Sequence, residues 1–142
     1  MAGAQLPWSV EQYVDGMNAH DWAAVRGSFA DRFERIGPFP EHRFTDPDVY
    51  TQFLADLLPT IEGHTIEVVR ADTLDAVSYV TICERLRRDG TDVESYLVLA
   101  CGLAPDGRLA RIEAFLRRTA QTSSRSPRGR SSWRRASRRR SS

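Results

Sequence analysis

At Gly63 the apolar residues of this chain change period, and that change constrains the fold more than any other feature. Before it, apolar side chains recur at three- and four-residue spacing. After it they alternate, one in two, until about residue 118. A 3.6-residue period places side chains on one face of a helix, and a two-residue period places them on one face of a strand. A helical block followed by a run of strands predicts an α+β domain, helices packed on one side of a curved antiparallel sheet.

Three helices are expected before the switch. Ser9 stands three residues before Gln12 as a capping box, with Trp8 able to staple onto Tyr13. Val10, Tyr13, Val14 and Met17 then form one apolar face. Asp21 caps a second helix carrying Trp22, Val25 and Phe29, which ends near Ala30. A short strand over Phe33 to Ile36 stops at Gly37, Pro38 and Pro40. Asp46-Pro47-Asp48 opens a third helix, with cap, proline at the first helical position and an acid near the dipole. Val49, Tyr50, Phe53, Leu54, Leu57 and Leu58 give it an apolar face, and Pro59 ends it.

Four strands follow: His64 to Asp72, Ala76 to Arg88, Asp92 to Ala104 and Arg108 to Arg118. Asp89-Gly90 is a two-residue hairpin turn, and Ala104-Pro105-Asp106-Gly107 is another turn. Pairing about Asp89-Gly90 sets Glu84 opposite Ser95 and Ile82 opposite Leu97. Pairing about Pro105-Asp106 sets Leu99 opposite Ile112. One face then carries Val80, Ile82, Leu86, Val93, Leu97, Leu99, Ile112, Ala114 and Leu116. The other carries Arg85, Glu94, Tyr96, Arg111 and Glu113.

Charge divides the chain in two. The net charge is +1, but all 19 acids and ten of the 20 arginines lie in residues 1–116. The other ten arginines lie in residues 117–142, which hold no acid. Residues 1–118 are therefore expected to fold as one domain. Residues 119–142, rich in Arg and Ser with Trp133 as the one aromatic, are expected to be disordered. Such a segment would attract nucleic acid or an acidic partner weakly and in a salt-dependent way. No membrane span and no secretory signal are expected, so a cytoplasmic location follows. Cys83 and Cys101 lie in strand-like runs and read as buried free thiols. Neither has zinc-ligand spacing, and no Gly-rich phosphate loop appears, so no metal or cofactor is expected.

The strings Val10-Glu11-Gln12-Tyr13, Asn18-Ala19-His20-Asp21-Trp22, Phe29-Ala30-Asp31, Asp106-Gly107-Arg108-Leu109 and Ile112-Glu113-Ala114-Phe115, in this order of elements, carry a resemblance. Over residues 9–118 the chain resembles the nuclear transport factor 2-like superfamily, in particular its SnoaL-like polyketide cyclase and ketosteroid isomerase branches. The resemblance implies a cone-shaped sheet, an α+β barrel closed by helices, and dimerisation through the sheet. It implies that Tyr13 occupies the place of an oxyanion-stabilising tyrosine. The isomerase base would fall at Gly37 and the second oxyanion donor at Leu99, so that mechanism lacks two of its groups. The Arg and two carboxylates of the epoxide hydrolases are not matched either: the last-strand position falls at Ala114, and Glu113 points away.

The apolar sheet face has two polar exceptions, Glu84 and Ser95. A hairpin near Thr73-Leu74-Asp75 brings His64 beside Glu84 on that face. A carboxylate there must hold a proton, pair with His64 or touch water. A Tyr13, His64 and Glu84 set could enolise a carbonyl compound, with Met17, Phe53, Ser95, Leu97, Leu99, Ile112 and Ala114 lining the substrate. Plainer readings stand beside this one: an exposed edge His64, a rim Glu84 paired with Arg87, a structural Ser95 and a core Tyr13. The expected function is cofactor-free acid-base chemistry on a small apolar carbonyl or polyketide-like compound. The alternative is a non-catalytic ligand-binding or dimerising module.

Overall fold

The computed structural model describes residues 6–117. The Arg/Ser-rich segment, with the partners expected for it, lies outside the described residues. Four strands follow the period switch as expected. They and a fifth and sixth strand form one sheet against three α-helices, α1 (Trp8–Ala19), α2 (Trp22–Gly27) and α3 (Pro47–Leu57). The strands are β1 (Phe29–Ile36), β2 (Arg43–Phe44), β3 (Thr65–Leu74), β4 (Val77–Arg88), β5 (Thr91–Leu103) and β6 (Leu109–Leu116), in the order β2-β1-β6-β5-β4-β3. No helix among the described residues is long and apolar enough to cross a membrane.

Helix starts follow local chemistry in two cases of three. The Asp21 carboxylate accepts from Ala24 N, and the Asp46 carboxylate accepts from Asp48 N and Val49 N. The first start differs from expectation. Pro7 is the cap residue of α1, and no capping box forms. Ser9 Oγ instead donates to Gly107 O at 2.6 Å, while Gln12 Nε2 donates to Ala24 O. Both side chains tie α1 to its neighbours, a long-range use that outweighs the local cap.

Three further expectations are corrected. The second helix does not reach Ala30: it ends at Gly27, because Leu109 N donates to Ser28 O and draws Phe29 into register with Leu109. The sheet is mixed and not antiparallel throughout. β1 runs parallel to β6, because β6 comes to lie beside β1 with all of β2 to β5 between them in sequence. Ile112 pairs with Cys101, and Leu99 pairs with Ala114. The turn and the irregularity at Gly102/Leu103 each move the β5–β6 register by one residue, two in all from the expected one, which keeps the side chains on their faces.

The Asp89-Gly90 hairpin forms as expected. Both residues have positive φ, 54° and 76°, and Arg88 pairs with Thr91. The outward face is laced by ion pairs among Arg85, Glu67, Glu94, Arg111, Glu34 and Glu113. The inward face joins Val10, Val14, Phe29, Tyr50, Val80 and Ile112 in one core. Cys83 and Cys101 are buried free thiols. By strand parity they lie on opposite faces. Burial pushes the Cys101 thiol up to about 12 and raises that of Cys83.

Candidate active site

Between the sheet and helices α1 and α3 lies a cavity of about 380 Å³. Its wall is mainly apolar, as ligand cavities are. Met17 comes from α1, Phe53, Leu54 and Leu57 from α3, and Leu97 and Leu99 from β5. The polar side chains that break this wall are Tyr13, Arg35, His42, Tyr50, Glu84, Arg88 and Ser95.

Glu84 and Ser95 face each other across β4 and β5 and both line the cavity, as the strand parity predicts. His64 precedes β3 and is 8% exposed, so it is not an edge histidine in water. Its Nε2 stands 2.7 Å from Glu84 Oε2. Arg87 pairs with Asp92 and Glu62 instead of Glu84. His64 therefore contacts the carboxylate from behind and does not itself line the cavity. The other ring nitrogen, Nδ1, is buried with no hydrogen-bond partner. That pattern assigns the proton to Nε2, donating to Glu84, since a bare lone pair is less costly there than an unpaired N–H.

A second polar group was not expected from sequence. Tyr13 Oη and Tyr50 Oη are 2.8 Å apart, and Arg35 Nε donates to Tyr50 Oη at 3.0 Å. Arg35 Nη1 donates to Gly37 O at 2.7 Å. Tyr13 and Tyr50 are almost fully buried. Burial and the neighbouring Tyr50 hold the Tyr13 phenol well above its ordinary pKa, against the opposing pull of Arg35. Tyr13 is accordingly a neutral hydrogen-bond donor at physiological pH. Burial works against the Arg35 charge, but its hydrogen bonds to the Tyr50 hydroxyl and the Gly37 carbonyl hold it, and Arg35 stays protonated. Arg35 donates to Tyr50, so the Tyr50 hydroxyl can pass its own proton to Tyr13, and in that arrangement the Tyr13 proton is available to another acceptor.

The two polar groups share one cavity through α1. The Asn18 side chain exchanges two hydrogen bonds with the backbone of Ile66, the residue paired with Glu84. Tyr13 lies five residues back along the same helix, about 7.5 Å by helical rise.

Of the other expected lining residues, Met17, Phe53, Ser95, Leu97 and Leu99 line the cavity. Ile112 and Ala114 do not. They point inward but are fully packed in the core, since β1 lies beside β6 and sets Arg35 in register with Ile112. Gly37 has φ +77°, and a Cβ there would stand 2.6 Å from Ala114 O. The place where a ketosteroid isomerase would keep its base thus admits only glycine.

No protein-family model matches the sequence, and no curated protein matches it. Solved structures do match. An LEH-like epoxide hydrolase from M. tuberculosis is 14% identical at a TM-score of 0.67, with 78% of this chain and 81% of that one covered. A candidate ketosteroid isomerase from Kribbella flavida is 17% identical at 0.67, covering 80% and 78%. A candidate SnoaL-like polyketide cyclase from Shewanella denitrificans is 12% identical at 0.68, covering 86% and 96%. The six-stranded mixed sheet, the helices against its inner face and these likenesses together give the chain the nuclear transport factor 2-like fold.

Proposed function

We propose that the chain acts on a small apolar carbonyl compound by cofactor-free proton transfer, with Glu84 as the proton acceptor. One observation carries this reading: a carboxylate held at 2.7 Å by a buried histidine opens into an apolar cavity that also holds a buried phenol pair. Glu84 removes a proton beside the carbonyl, and Tyr13 donates a hydrogen bond to the oxygen as negative charge grows on it. His64 is a positioning residue, fixing the carboxylate through Nε2. Ser95 sits opposite Glu84 and can hydrogen-bond the substrate. The neighbours are named as an epoxide hydrolase, a ketosteroid isomerase and a polyketide cyclase. What passes to this chain is only chemistry on small apolar compounds, in the cyclisation, isomerisation or hydrolysis classes.

The test is hydrogen exchange into an enolisable aryl ketone such as 1-tetralone, followed by NMR in D₂O. The parent chain should accelerate exchange, and Glu84→Gln should lower the acceleration by about 10²-fold or more. Equal rates for the two would remove Glu84 from the chemistry. Binding of the ketone with no exchange by the parent would leave a ligand-binding module. Gly37 and Leu99, which bear no acid-base group, favour that second reading.

We also propose that a second copy of the chain covers the outer sheet face, giving a homodimer. Thr81, Val98 and Phe115 stand in one cross-strand row, and Tyr79 and Ala100 pair in the next. Tyr79 and Phe115 are each 48% exposed. An apolar strip between ion-paired rows suits a self-complementary interface.

A further inference from the structure

Arg35 lines the cavity, and its charge has no acidic counterpart among the described residues. Seven arginines of the described residues, Arg26, Arg43, Arg70, Arg85, Arg87, Arg108 and Arg111, pair with carboxylates, all on the surface. Arg35 forms none of these pairs, and neither does Arg88, the other arginine of the cavity lining, but Arg88 is exposed to water while Arg35 is half-buried. Its Nε and Nη1 are spent on Tyr50 and on the carbonyls of Ile36 and Gly37. The remaining terminal nitrogen, Nη2, makes no well-formed hydrogen bond among the described residues, although the guanidinium lies near the Tyr13 hydroxyl and over the Tyr50 ring, and the half-buried side chain lines the cavity. Among the described residues the only acid lining that cavity, Glu84, is held by His64. A guanidinium removed from bulk water without an anion is an uncompensated charge, and a planar fork with one open arm is suited to a carboxylate.

We infer that the natural ligand is an acid: an apolar ring compound bearing a carboxylate, which accepts a hydrogen bond from Arg35 Nη2. The apolar body then occupies the space between Met17, Phe53, Leu97 and Leu99, toward Glu84. The inference rests on the proposed function only in taking this cavity as the ligand site. It requires no proton transfer.

Arg35 also has a supporting role, since its stem and Nη1 brace the end of β1. A binding comparison separates the two roles. Isothermal titration of the full chain with 2-naphthoic acid and with the neutral isostere 2-naphthamide should show the acid bound tighter by at least about tenfold. In Arg35→Met the ratio should fall to about one, the acid losing more affinity than the amide. Arg35→Lys keeps the charge and should keep part of the preference. Any acid preference that the arginine-rich segment over 119–142 contributes survives in Arg35→Met, so a ratio that persists in that variant overturns the assignment. So does equal affinity of the parent for the two probes, or failure of the parent to bind either, and these two readings hold even where a variant does not fold. Glu84-dependent exchange of 1-tetralone with no acid preference would sink this inference alone. An acid preference without Glu84-dependent exchange would sink the proton-transfer reading alone.

Discussion

Tyr50 stands at the middle of a hydrogen-bonded row that runs from Arg35 to Tyr13. Replacing it by Phe removes one oxygen and strands two partners, so Tyr50→Phe should cost about 1–3 kcal/mol in urea unfolding. A change under a few tenths would mean that the row is not formed. Cys101 gives a pH prediction. Its folded pKa lies near 12, above the ordinary thiol value, so the unfolded chain loses that proton first as pH rises. The stability it contributes is complete below pH 8 and drains between about 9 and 12. By pH 10 the loss should be about 1 kcal/mol under reducing conditions, and Cys101→Ala should flatten it. Tyr13 and Cys83, also raised, act in the same direction. At this scale strand parity placed Glu84 and Ser95, because it marks a polar residue on an apolar face; His64 does reach Glu84, but from outside β3, since Ile66 and not His64 stands opposite Glu84 in the ladder. Arg35 and Tyr50 escaped because one read as a charge on a short strand and the other as one apolar position of a helix. Parity held the clue: Arg35 lies two residues after buried Phe33, hence on the same face.

Among the elements, α3 is the most dependent on a single cap. Asp46 Oδ1 takes two backbone N–H groups, and the helix it starts supplies Tyr50, Phe53, Leu54 and Leu57 to the cavity wall. Asp46→Ala should lower stability by about 1 kcal/mol, read by urea denaturation, and should loosen ligand binding as the wall frays. The end of β1 behaves differently. Gly37→Asp places an acid where a ketosteroid isomerase would hold its base. It should yield a destabilised chain, by about 2–4 kcal/mol, with no gain in ketone exchange, because positive φ and the Ala114 carbonyl both exclude a side chain. A folded variant with enhanced exchange would contradict this account. Element identity after Gly63 was legible because alternation and turn chemistry agreed. The two-residue β2, the parallel β1–β6 pairing and the bulge at Gly102/Leu103 were not. Each depends on contacts far apart in sequence, which local periodicity does not encode.

For the molecule as a whole, the proposed outer-face pairing makes a direct prediction. Sedimentation velocity at micromolar concentration should give a dimer, and Phe115→Arg, which sets like charges across the strip, should shift it to monomer. A parent chain that is monomeric under those conditions would remove the pairing. The route to such a dimer is narrowed by Asn18. β3 is the last strand of the sheet and pairs only with β4, so part of its backbone has no strand beside it. The Asn18 amide occupies that free border at Ile66, giving to the carbonyl and receiving from the N–H as a neighbouring strand would. Farther along, Arg70 and Asp72 put charge on the same border, and the opposite one ends in a strand of only two residues. Both margins thus discourage strand-to-strand extension into fibres, and association is left to meet face to face.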